Sequence, residues 1–182
     1  MRRSRDVIQP RDRLSSSPGT YALWFWLDQP LTLYAGRLGE VGLGPGAVVY
    51  VGSAHGPGGL RARVSRHLRE DKKSHWHIDA LTALASVTAV WYTLASNRLE
   101  CQWAARLQAV PGAAIPVPGF GASDCSCPAH LFALPVSAIA NAWQALGRPA
   151  ALILWPRPRK ADACPASGEC GRITAAESRT GR

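Results

Sequence analysis

The chain reads as an α+β domain: a small, mainly antiparallel three-stranded sheet flanked by helices, with a short C-terminal β-α extension. Three observations lead there. Apolar runs of strand length are rich in aromatic and β-branched residues, segments with helical apolar spacing lie between them, and no internal repeat is present. The resulting order is strand, strand, helix, helix, strand, helix, then one more strand and helix, and it suits a sheet with helices packed on it.

Residues 1–18, rich in Arg and Ser and closed by Pro18, read as a basic flexible arm. Gly19 to Leu27 (GTYALWFWL) is almost wholly apolar, the pattern of a buried strand. Leu31 to Gly36 is a candidate strand, followed by a turn-rich stretch from Gly39 to Gly46. Ala47 to Gly52 (AVVYVG) is a second buried strand closed by glycine. Gly56-Pro57-Gly58-Gly59 cannot sustain regular structure and feeds a helix from Leu60, whose apolar stripe is Leu60, Val64 and Leu68. Trp76 to Leu84 reads as a second helix, Val87 to Leu94 as a third buried strand, and Arg98 to Val110 as a third helix ended by Pro111-Gly112. A Gly/Pro-rich loop runs from Pro111 to Ser126. His130 to Leu134 is then a short strand and Pro135 to Leu146 a last helix with proline in its first turn. Residues 19–155 are thus one domain, and 156–182 read as a basic, disordered tail.

Hydrophobic residues make up 47% of the 182 and include seven tryptophans, enough for one core. No apolar run approaches the ~18 residues of a membrane span, and the basic start is not followed by the apolar stretch of an export signal, so a cytoplasmic protein is expected. The net charge of +9 is shared equally by residues 1–13, residues 14–155 and residues 156–182. Within the middle part, Arg61 to Lys73 holds six basic residues against Glu70 and Asp71. Such a stretch fits a phosphate backbone, with Arg61, Arg66, Arg69, Lys72 and Lys73 as contacts, although a solvated helix face has the same composition. The five cysteines, an odd number without an export signal, do not form a secreted disulfide framework. Cys125, Cys127 and His130 offer three soft ligands with no fourth in the cluster, so zinc and a pair of buried thiols beside a structural histidine both stand open. His75 and His77, at i and i+2 around Trp76, fall on different helix faces. They could join the cluster only if that segment were extended.

Two triplets carry the chemistry. Gly19-Thr20-Tyr21 ends with a tyrosine on the first strand and Tyr50-Val51-Gly52 begins with one on the second; then Arg63 and His67 lie one helical turn apart, and Glu100 opens the third helix in a mostly apolar segment. In order and chemistry this resembles the GIY-YIG nuclease superfamily over residues 18–134. The pieces His75-Trp76-His77-Ile78-Asp79 and Gly119 to Cys125 resemble a small stand-alone subgroup of Uri type, sometimes fused to endonuclease III-like repair enzymes. The resemblance implies a divalent-metal-dependent endonuclease acting on nucleic acid, with DNA favoured over RNA and a repair protein as a potential partner. It implies Tyr21, Tyr50, Arg63, His67 and Glu100 as catalytic residues, with Glu100 holding Mg2+ or Mn2+.

Tyr50 is then the group that activates water, and its phenol needs a lowered pKa from a neighbouring cation or metal, because an ordinary value near ~10 is unsuited to neutral pH. Arg63 is the natural neighbour and its fork suits phosphate. His67 can orient Arg63, touch phosphate or protonate the leaving oxygen, and Gly52 lets substrate or metal approach the backbone. The sequence departs from the family pattern in Thr20 and Val51 and in a longer gap from Tyr50 to Arg63, which leaves Arg61 open as the catalytic arginine. Ser123 or Asp124 could serve as a late polar residue. Two alternatives remain at this level: a catalytically silent nucleic-acid-binding module of the same fold, and a zinc-stabilised interaction domain.

Overall fold

The structure is a computed structural model that describes residues 13–69, 71 and 76–154. Its centre is a five-stranded, wholly antiparallel sheet in the order β6-β4-β1-β5-β7, built from β1 (Gly19–Leu27), β4 (Gly46–Ala54), β5 (Val87–Leu94), β6 (Leu131–Leu134) and β7 (Ala150–Ile153). The three strands expected at the centre are there, and β6 and β7 widen the sheet at its two edges. A separate ribbon pairs β2 (Leu31–Tyr34) with β3 (Glu40–Leu43). The helices are α1 (Gly59–His67), α2 (His77–Leu84), α3 (Glu100–Gln108) and α4 (Ile139–Ala145). Among the described residues no helix is long and apolar enough to cross a membrane.

Strand alternation separates two cores. Tyr21, Leu23 and Phe25 of β1 face the same side as their register partners Gly52, Tyr50 and Val48, under α1, α2 and the ribbon. Ala22, Trp24, Val49 and Val51 face the other side, against Trp103, Ala104 and Leu107 of α3 and Ala142 of α4. Trp24 and Trp91 stack there, ring centroids 4.3 Å apart.

Several local choices place α1. Gly59 has φ of 52°, and a Cβ on it would lie 2.2 Å from the Ser17 carbonyl oxygen, so only glycine lets the chain before β1 pass so close. That chain caps the helix. The main-chain N–H groups of Leu60 and Arg61 donate to the carbonyls of Ser17 and Ser15, satisfying two donors that a helix start leaves without an internal partner. Leu14 is buried as well. Residues 14–18, expected as part of a flexible arm, are therefore packed against the domain; residues 1–12 and 155–182 lie outside the described residues.

Other differences are of a similar kind. The Gly39–Gly46 stretch, expected as turns, contains β3, because Val41 and Leu43 alternate inward against Leu33 even with Gly42 between them. The last helix is shorter than expected: Val136–Ala138 is a 3-10 turn, and the α-helix proper starts at Ile139. On α1 the buried stripe is Leu60, Val64 and His67, with Leu68 only half-buried.

Candidate functional site

A polar cleft lies at the end of β1 and β4, where α1 and α3 approach from opposite faces of the sheet. Tyr21, Tyr50, Arg63, His67 and Glu100 all line it, so four separate elements deliver the five residues singled out by their order in the sequence. Arg61 does not line it. Its side chain is exposed and its main chain is tied to Ser15, so of the two α1 candidates it is Arg63 that lines the cleft.

Tyr21 is 2% exposed and its phenol lies 2.8 Å from His67 Nε2. The ring covers Gly52, its register partner, where a Cβ would lie 2.5 Å from the Tyr21 hydroxyl. Gly52 thus makes room for a side chain of this chain, where the sequence suggested room for substrate or metal. His67, expected on an exposed helix face, is 2% exposed. Its Nδ1 lies 3.8 Å from Asp79 Oδ1, and Asp79 in turn accepts a two-pronged bond from Arg66 at 2.9 and 3.0 Å and one from the Trp76 N–H. Buried polar groups of this kind are stable only when partnered, and the row Tyr21, His67, Asp79, Arg66 supplies the partners in order. At this depth the cleft-side contact of His67 is the Tyr21 phenol.

The arginines divide their work. Arg63 and Arg66 both place their guanidinium carbons over the Trp76 ring, at 4.4 and 4.1 Å from its centroid, and Arg66 is further committed to Asp79. Arg66, expected as a nucleic-acid contact, is half-buried and engaged by Asp79 and Trp76. Arg69 is exposed at the end of α1 and available to a phosphate backbone, whereas Lys72, Lys73 and His75 lie outside the described residues.

Burial raises the pKa of both cleft tyrosines. Tyr21 is pushed well above its ordinary value by burial, and next by Tyr50. Tyr50 is pushed up by burial and next by the Glu100 carboxylate, and Arg63 pulls both down without winning. The lowered phenol pKa anticipated from a neighbouring cation is thus not produced by Arg63, because loss of water outweighs one guanidinium. Glu100 behaves in the opposite way. Burial pushes its carboxyl up, but bonds from His130 and Ser53 outweigh that and hold it below the ordinary carboxylate range. Ser53 Oγ donates to Oε2 at 2.7 Å, and His130 Nδ1 sits 3.2 Å from Oε1 in a bent contact.

Oε2 of Glu100 is thus fixed by Ser53, while Oε1 lies beside His130 Nδ1 in ion-pair range. Asp124 lines the same cleft, so two carboxylates face it. Ser123 lines it too, as do Arg98 and His55, which the sequence did not single out. The His55 ring nitrogens are shielded from solvent and meet no hydrogen-bond partner among the described residues. A signal for Arg98 existed, since it precedes Glu100 by only two positions. His77 opens α2 with its Nδ1 accepting the Gly121 N–H at 3.1 Å, so it closes the cleft floor and does not join the cysteines.

Beside the cleft, the ligand atoms of Cys101, Cys125, Cys127 and His130 lie within 4.8 Å of one another. Cys101 is the fourth member the sequence lacked, contributed by α3 one residue after Glu100. None of the three thiols is fully buried, as two inert core cysteines would be: Cys101 is exposed and the other two are half-buried. Burial, with its two thiol neighbours, pushes Cys127 up to about 12.

The fold and site define a small antiparallel α+β domain with a phenol, imidazole and guanidinium cluster facing a fixed carboxylate. The chain belongs to the family described as a domain of unknown function, DUF123, whose model matches residues 20–150. No curated protein and no solved structure matches it.

Proposed function

We propose that the protein is a divalent-metal-dependent endonuclease of GIY-YIG type that hydrolyses phosphodiester bonds, with DNA as its substrate. One observation carries this reading: Tyr21, Tyr50, Arg63, His67 and Glu100 arrive from four elements at one cleft at the sheet end. Three of the supporting polar groups (His67, Asp79 and His130) are buried, a costly arrangement for a surface that only binds.

Each residue then has a task. A phosphate entering the cleft meets Arg63, whose planar fork can hold two of its oxygens and stabilise charge that grows on them during attack. Tyr50 takes the proton of the attacking water. Its raised pKa keeps the phenol neutral by itself, so it must first release its own proton to solvent, a loss that a positive charge beside it would favour. Tyr21, held by His67, fixes the opposite wall, and the Asp79 carboxylate holds His67 in turn. Glu100, with Asp124 lining the same cleft, would hold a Mg2+ or Mn2+ ion, which would supply positive charge beside the phosphate. Ser53 already holds Glu100 Oε2, and His130 lies beside Oε1.

The test is a panel of labelled single-stranded, duplex, flapped and branched DNA and RNA substrates with Mg2+ or Mn2+. Nicking of at least one, dependent on the metal, is expected. Tight binding to the panel with no cleavage of any member would favour the silent module.

A further inference from the structure

We propose that Cys101, Cys125, Cys127 and His130 form a structural zinc site, and that His130 links this site to Glu100 by its other ring nitrogen. The linkage rests on the nuclease reading; the zinc site does not.

The donor set is closed and has the right dimensions. Tetrahedral zinc with Zn–S near ~2.3 Å and Zn–N near ~2.05 Å requires S···S edges of about 3.8 Å and S···N edges of about 3.6 Å. Cys125 Sγ lies 3.4 Å from His130 Nε2, and all four ligand atoms fit within 4.8 Å. The Cys125 to His130 contact sets two of these donor atoms near one edge of such a tetrahedron. The four residues come from α3 and from the loop before β6.

The site is also held in advance. His130 is 1% exposed, its main-chain N–H donates to Phe120 and its carbonyl accepts from Val51 of β4. The loop is tied to itself by the Gly119 N–H on the Pro128 carbonyl at 2.7 Å. Gly121 has φ of 77°, and a Cβ there would lie 2.7 Å from the Tyr50 ring, so the same loop that presents two cysteines also packs on the catalytic phenol. Cys101 adjoins Glu100 on α3. An ion bound to all four would therefore fix the start of α3, the loop over Tyr50 and His130 together.

The link follows from histidine chemistry. Zinc takes the Nε2 lone pair, which leaves the proton on Nδ1, 3.2 Å from Glu100 Oε1. A carboxylate on the far nitrogen of a zinc-bound histidine is a recurrent arrangement that orients the ring. Here the carboxylate so engaged is the proposed anchor for Mg2+ or Mn2+. Loading zinc releases the three thiol protons to solvent, and no redox step is involved.

The experiment uses the full chain, reduced and freed of metal, titrated with Co2+ and then Zn2+. One ion per chain is expected, with tetrahedral cobalt bands and thiolate-to-metal charge transfer. Cys101→Ser should lose about a third of the charge-transfer intensity and bind more weakly by at least ~10-fold, the scale of a lost ligand or its close support. A Cys164→Ser/Cys170→Ser double variant should bind as wild type does. Loss of binding in that double variant, an unchanged spectrum in Cys101→Ser, or oxidation of the cluster to a disulfide with no affinity for zinc would each overturn the site. His130→Cys keeps four ligands but removes the imidazole, so it should retain zinc while weakening Mn2+ binding, read by the paramagnetic signal of free Mn2+, by ~10-fold or more. Mn2+ affinity equal to that of the zinc-loaded wild type would overturn the link. Zinc binding with no cleavage of any nucleic acid by the wild type would sink the nuclease reading and leave the zinc site standing.

Discussion

The two faces of the central sheet are built from the same strands and have opposite chemistry. One face of β1 and β4 presents Ala22, Trp24, Val49 and Val51 to Trp103 and Leu107, an apolar interior whose polar members, Thr20 and Ser53, stand at the cleft end, where Ser53 meets Glu100. The other presents Tyr21 and Tyr50, and at its open end it buries His67 and Asp79 with them. Because neighbouring residues of a strand point to opposite sides, a shift of register by one would exchange the two sets. Stability and chemistry can therefore be perturbed separately.

Trp103→Ala is the strongest test on the apolar face. Trp103 is 1% exposed, so its loss should lower stability by about 3–5 kcal/mol, read by urea denaturation. The variant should retain the wild-type single-turnover rate at temperatures where it remains folded. A catalytic defect as large as the stability defect would show that the faces are not separable.

Tyr50→Phe on the polar face should do the reverse. It keeps the ring and its packing on Phe120 and Gly121, so the melting temperature should move little, while the chemical step slows by at least ~100-fold. The pH profile sharpens this. A phenol whose pKa is raised is mostly protonated at neutral pH, so the fraction able to accept a proton, and with it the rate, should rise about tenfold per pH unit below that pKa. The variant should lose this slope; a slope unchanged in Tyr50→Phe would assign the base elsewhere.

Asp79→Ala should fall between the two classes. It strips Arg66 and His67 of a buried partner, and because Arg66 is partly exposed a loss of about 2 kcal/mol is expected. With it should come a kcat reduced by ~10-fold at unchanged KM, since His67 would no longer be held against Tyr21. The smallest effects should come from Arg61→Ala and Arg69→Ala. Each should reduce the salt dependence of nucleic-acid binding by about one counterion and leave the chemical step alone.

Much of the apolar face was readable in advance, because Gly19–Leu27, Ala47–Gly52 and Val87–Leu94 are unbroken apolar runs with one interpretation. β7 was missed because Ala150–Ile153 is four residues long and mostly exposed, with no alternation to mark it. The cleft was readable as an ordered set of residue types along the chain, since Tyr21, Tyr50, Arg63, His67 and Glu100 all line it. What could not be read were the partners. Asp79 sits on an ordinary helix start, and only the fold brings it beneath His67. Cys101 looked like a lone helical cysteine until the loop before β6 delivered Cys125, Cys127 and His130 to it. Burial was misjudged at His67 for the same reason: its neighbours on α1 are basic, and the phenol that receives it comes from a strand 46 positions away.

The account stands on Glu100 as the anchor of a catalytic ion. The most direct measurement is the single-turnover cleavage rate of zinc-loaded protein as Mg2+ is titrated from zero, for wild type and Glu100→Ala, with nucleic-acid affinity measured alongside. Omitting Mg2+ is preferable to a chelator, which would also strip the cysteine cluster. The wild type should be silent without Mg2+ and saturate with it, while Glu100→Ala binds nucleic acid at least as tightly and turns over at least ~1000-fold more slowly. Equal rates for the two proteins at saturating Mg2+, or full cleavage by the wild type with none, would contradict it.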